Sequence, residues 1–127
     1  MYKVRHQVYA TLEGNRLDTV IERLPGLSGV GRYKNADHPG IRYPERAQLH
    51  LPEPRNDYTD IIALIDSLEK HSPVLREAGV KRMILRWTIL SNDPAHEVNT
   101  ELGAGELLRL ANLHASLAVS FYAKAHI

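Results

Sequence analysis

The chain has 127 residues, 43% of them hydrophobic and 24% charged, which describes one globular domain rather than a disordered segment. Sixteen Lys and Arg against fifteen Asp and Glu leave a formal charge of +1, which excludes a nucleic-acid binder held by bulk charge but not a local basic patch. The absence of cysteine excludes disulfides, thiolate metal sites and cysteine nucleophiles, and no window approaches the roughly 18 apolar residues of a membrane span.

Val4, His6, Val8, Ala10 and Leu12 alternate with Arg5, Gln7, Tyr9 and Thr11, which predicts a strand with one buried and one wet face. Gly14-Asn15 ends it. Leu17, Val20, Ile21 and Leu24 follow helical spacing until Pro25-Gly26. Residues 26–46 hold four glycines and two prolines, with a short strand expected around 30–34 and an exposed loop from Asn35 to Glu45. Ala47, Leu49 and Leu51 alternate with Gln48 and His50 in another half-buried strand, ended by Pro52 and Pro54.

Asp57 is the expected N-cap of a helix whose apolar stripe is Ile61, Ile62, Leu64, Ile65 and Leu68. Ser72-Pro73 reads as a fresh start, so this helix is expected to break near His71 and resume to Gly79. Lys81–Leu90 alternates as a central strand, with Met83, Leu85, Trp87 and Ile89 on one face. Ser91–Pro94 is a turn, His96–Leu102 a weaker strand and Glu106–His114 a helix. Leu117, Val119 and Phe121 then alternate with Ala118, Ser120 and Tyr122 in a closing strand.

The order β-α-β-β-α-β-β-α-β, with alternating strands, points to a single α+β domain over 1–127. A largely antiparallel sheet would carry its helices on one face. The other face would collect Arg5, Tyr9, Gln48, His50, Arg82, Arg86, Thr88, Ser120 and Tyr122. Met1–His6 lacks the apolar run of a secretion signal, so the expected location is cytoplasmic.

The run Glu106-Leu107-Leu108-Arg109-Leu110-Ala111-Asn112-Leu113-His114-Ala115-Ser116-Leu117-Ala118-Val119-Ser120-Phe121-Tyr122 passes from a helix straight into a strand. Together with Leu12-Glu13-Gly14-Asn15-Arg16-Leu17-Asp18, it resembles a family of small bacterial proteins known as domain of unknown function 4279. Residues 30–56 depart from that pattern, and the tryptophan expected near the middle strand is missing, with Tyr43 or Leu49 lying closest. The resemblance implies a fold and no activity, cofactor or catalytic residue.

The chemical motifs are incomplete. His96-Glu97 begins like a zinc-helix H-E-x-x-H, but the second histidine is replaced by Thr100, leaving only a loop of Asp93, His96 and Glu97 as a conceivable chelate. Gly26-Leu27-Ser28-Gly29-Val30 is not a nucleophile elbow, and neither Gly29-Val30-Gly31 nor Gly103-Ala104-Gly105 completes a phosphate loop. The carboxylates Asp57, Asp60, Asp66 and Glu69 suit a helix and its dipole better than acid–base catalysis. His6, on an apolar face, reads as a core histidine with one nitrogen satisfied. No catalytic residue, metal or cofactor is therefore assigned.

Charge is segregated. Glu53, Asp57, Asp60, Asp66 and Glu69 stand against Arg55 in 53–69; Lys70, Arg76, Lys81, Arg82 and Arg86 stand against Glu77 in 70–86. Asp93, Glu97, Glu101 and Glu106 follow without a basic neighbour in 91–108. The leading expectation is a non-enzymatic protein-binding domain, in its most concrete form an immunity or antitoxin protein that occludes a toxin. Its contacts would be Asp57, Asp60, Glu97, Glu101 and Arg42. The alternative is a small-ligand or enzymatic site on the open sheet face, formed by Tyr9, His50, Arg86 and Tyr122. A third is weak RNA binding through 32–46, where Arg32-Tyr33-Lys34 and Arg42-Tyr43 interleave cations with aromatics. An exposed edge over 95–102 would offer a homodimer contact.

Overall fold

Three of the strands predicted by alternation form the middle of one sheet. β1 (Val4–Gly14) lies between β3 (Glu45–Leu49) and β4 (Arg82–Ser91), antiparallel to both. β2 (Leu27–Arg32) pairs antiparallel with β3, and β5 (Ala115–Ala123) pairs parallel with β4, giving the order β2-β3-β1-β4-β5. The structure is a computed structural model and describes residues 3–17, 19, 23–24, 26–32, 45–93 and 100–124.

Among the described residues, the fold is α+β with a five-stranded mixed sheet and two helices. Three of its four strand pairs are antiparallel. The closing strand is the exception. It runs parallel to β4 because the connection between them carries α2 (Ala104–Asn112), and a parallel neighbour needs such a crossover.

α1 (Thr59–Glu77) stacks Ile61, Leu64, Ile65, Leu68 and Leu75 on its buried side. They meet Ala10, Leu12, Ala47, Leu49, Leu85 and Trp87 from one face of the sheet, and Leu110 and Leu113 from α2. Fully burying each large side chain contributes about 1.5–3 kcal/mol. Both helices thus share one face of the sheet with a single core.

Several elements differ from the sequence expectation. α1 does not break near His71 but continues through Pro73. A proline inside a helix costs about 3 kcal/mol, but Leu75 and Ala78, one and two turns from the expected break, are each only 1% exposed. Their burial holds the last turns in place. α2 begins at Ala104 and ends at Asn112, two residues earlier at each end than expected. β5 keeps its predicted parity, yet Val119 and Phe121 are 53% and 41% exposed, because this strand lies at the sheet edge. Half of the short helix expected over 17–24 and most of the strand expected over 96–102 fall outside the described residues. Residues 100–103 have no regular structure. Among the described residues, no helix is long and apolar enough to cross a membrane.

Candidate functional site

The sheet face opposite the helices carries Arg5, Gln7, Tyr9, Thr11 and Glu13 from β1, by the alternation of the strand. The register sets Tyr9 across from Arg86 and Thr11 across from Gln48. His50 follows β3 directly. Its backbone N–H donates to the Gly26 carbonyl at 2.9 Å. Gly26 has φ +88°, and a Cβ there would lie 2.1 Å from the His50 carbonyl oxygen, so only glycine allows this clamp.

The clamp presents the His50 ring to Tyr9, and the two stack with centroids 5.3 Å apart and planes at 22°. His50 Nε2 lies 3.1 Å from Gln48 Oε1. On the other side of β1, Arg86 Nε donates to Thr11 Oγ1 at 2.8 Å. The result is an ordered row, His50–Tyr9–Arg86, across three strands. Four arginines (Arg5, Arg46, Arg82 and Arg86) share this face with Glu13 as the strand carboxylate. Glu13 pairs with Arg46 at 2.8 Å and approaches Arg82 at 3.8 Å. Arg5 and Arg86 keep their charge available to a partner.

Three of the four residues expected to converge on this face do so. Tyr122 does not. It sits opposite Leu90, four residues along β5 from Ala118, the partner of Arg86, or about 13 Å away at strand rise. The face is also not wholly bare: Ile84 and Leu90 belong to it by parity but are 6% and 7% exposed. Two clefts lined by described residues lie elsewhere, one beside Leu51–Arg55 and one beside the C-terminal end of α1. The His50 ring meets an amide oxygen rather than a carboxylate. The row offers stacking and hydrogen-bonding groups.

The acidic contacts expected from sequence separate. Asp60 is 3% exposed, and its two carboxylate oxygens accept the backbone N–H groups of Arg55 and Asn56 at 3.0 and 2.8 Å. It anchors the loop before α1 and leaves the surface. The N-cap position of α1 falls to Tyr58, with no side-chain cap hydrogen bond, rather than to the expected Asp57; Asp57 instead accepts the Thr59 N–H at 2.9 Å in the turn that leads into the helix. The Thr59 hydroxyl also donates to it and holds its carboxyl below the ordinary aspartate value. Asp66 and Glu69 both receive Arg109 from α2, so part of the first acidic block is neutralised within the fold. Glu101 is exposed. Arg42 and Glu97, and the basic segment 33–44, lie outside the described residues.

His6 is buried on the helix side, where its Nδ1 accepts the Trp87 indole N–H at 2.9 Å and the rings stack at 5.7 Å. Burial pushes its imidazole below the ordinary histidine value, against the pull of Asp57 and Asp60. Among the described residues, no three His, Asp or Glu side chains are placed to hold a metal ion. Sequence reading placed Thr11 and Gln48 by parity but not as the groups that fix Arg86 and His50, since that depends on strand neighbours far apart in the chain.

No protein-family model matches this chain, and neither the curated proteins nor the solved structures contain a match.

Proposed function

We propose that this domain is a non-enzymatic protein-binding module whose contact surface is the open face of its sheet, and whose partner presents an acidic patch there. The observation that carries this reading is the ordered His50–Tyr9–Arg86 row on a face where arginines outnumber carboxylates. Stacked aromatics and pre-positioned arginines are the residue types that concentrate binding energy at interfaces. The rigid strands beneath them lower the ordering cost of association.

In its most concrete form the partner is a toxin whose active site the domain occludes, and the setting is the cytoplasm. The contact set then moves from the acidic blocks to the sheet, because Asp60 is buried and Asp66 and Glu69 are already paired. The resemblance to domain of unknown function 4279 adds a fold to this reading and no activity.

The test is a parallel affinity purification. The wild type, a Tyr9→Ala/Arg86→Ala variant and a Glu53→Ala control are each used as bait in nuclease-treated lysate of the native host. The reading expects one stoichiometric protein kept by the wild type and the control and lost by the double variant. In the toxin case, adding the wild type to that protein abolishes its activity at one equivalent. A protein partner held equally by the double variant contradicts the sheet-face assignment. Capture of small molecules or nucleic acid in place of protein favours the ligand or RNA alternative, and a bait that pairs only with itself favours the homodimer.

A further inference from the structure

The C-terminal ends of both helices and the start of β4 enclose a cleft of about 190 Å³ that shares no lining residue with the His50–Tyr9–Arg86 row. The buried side chains of Leu75 and Leu113 form its floor, and the exposed Arg76, Lys81, Arg82 and His114 stand around it. We propose that this cleft binds a small phosphate monoester with a compact apolar body.

Charge is the first support. Among the described residues, no carboxylate lines the cleft. Neither Arg76 nor Lys81 has an ion pair among the described residues, and Arg82 reaches Glu13 only at 3.8 Å. Three other arginines are already paired: Arg109 with Asp66 and Glu69, Arg46 with Glu13, Arg23 with Glu77. Three cations around one opening match a dianion better than a monoanion.

Cations near helix C-termini also answer the helix dipole. At α1 that need is met by other groups. The Val80 and Gly79 N–H groups close onto the Leu75 and Arg76 carbonyls at 3.0 Å each, with Gly79 at φ +72°. Arg16 covers the next two carbonyls, Glu77 through its guanidinium at 2.6 Å and Ala78 through its backbone N–H at 3.0 Å. Arg76 and Lys81 are therefore surplus to the helix end.

Backbone strain is the second support. His114 holds φ +55° at the position just past α2, where glycine is the usual residue. A histidine there keeps an imidazole beside the cleft at a conformational cost.

Size narrows the ligand. The cleft is smaller than the roughly 300–1,000 Å³ of sites for drug-sized molecules. It suits a phosphate carried on a single small ring or short chain rather than a whole nucleotide. This proposal does not depend on the sheet-face reading.

The test is a titration of the ¹⁵N-labelled protein with phenyl phosphate at pH 8, followed by amide chemical shifts. The proposal expects shifts confined to the segments around Ser72–Arg76, Val80–Met83 and Leu113–His114. Arg76→Ala and Lys81→Ala, both exposed positions, should each weaken binding about tenfold, since a charged hydrogen bond is worth that much. Inorganic phosphate and phenol should each bind more weakly than phenyl phosphate. The same spectra verify that the variants are folded. Shifts scattered over Arg5 and Arg23 as well, an affinity unchanged in the Arg76→Ala/Lys81→Ala double variant, or benzoate binding as tightly as phenyl phosphate would overturn it.

Discussion

The indole N–H of Trp87 donates to Nδ1 of His6 across the β1–β4 pair at 2.9 Å, inside the core. This hydrogen bond requires a neutral imidazole with its proton on Nε2.

A pH dependence follows. Burial keeps the folded-state pKa of His6 below the unfolded value of about 6.5, so the unfolded chain takes up the proton first. The associated stability is complete above about pH 6.5 and is lost as pH falls toward the folded-state value. His71, lowered by burial and by Lys70, acts in the same direction. Thermal melts at pH 7.5 and pH 5 should show a drop that is smaller in His6→Phe. That variant should also be less stable at pH 7.5, because the Trp87 N–H loses its acceptor, a loss of about 1–3 kcal/mol for a buried group. An identical drop in both proteins would remove His6 from the explanation.

Asp60 and Asp57 are three residues apart and should behave differently. Asp60→Ala strands the Arg55 and Asn56 N–H groups, at about 1–3 kcal/mol for each that stays buried. Asp57→Ala removes the exposed turn hydrogen bond to the Thr59 N–H and should cost less. Because the Asp57 carboxyl lies below its ordinary value, its contribution is present above about pH 3.8 and is lost as pH falls below it. Urea titrations at pH 7 check the ranking. Equal losses would contradict the burial argument.

His114→Gly should raise stability by about 1 kcal/mol, because glycine adopts the left-handed conformation without the Cβ penalty. His114→Val should lower it, since a β-branched residue tolerates that conformation poorly. Denaturation midpoints of the three proteins give the order directly.

Arg109→Ala separates α2 from Asp66 and Glu69, but all three groups are partly exposed. The expected result is a small loss of stability that shrinks further in high salt. A large, salt-independent loss would show that Arg109 has a packing role.

The pattern of the strands was legible because alternation is local. It placed His6, Ala10, Leu12, Leu85 and Trp87 in the core and Tyr9, His50 and Arg86 on the opposite face. Which strands are neighbours is not local. That Tyr9 stacks on His50 and lies across from Arg86 depends on β1 lying between β3 and β4, which pattern alone does not determine. Tyr122 shows the same limit: its parity was right, and its place on β5 carried it away from the row. At Pro73 the local rule was overruled by the burial of Leu75 beyond it. Asp60 looked like a surface acid because nothing in its neighbourhood announces that Asn56, at φ +62°, turns the preceding loop onto it.

Site-directed photocrosslinking in the native host tests the sheet-face reading most directly. A photoreactive phenylalanine is placed at Gln7, exposed on the open face beside Tyr9, and separately at Ala63, exposed on α1. The account predicts one discrete protein adduct from position 7, lost when Arg86 is also changed to alanine, and none from position 63. Adducts from position 63 alone, or the same adduct from both positions, would contradict it.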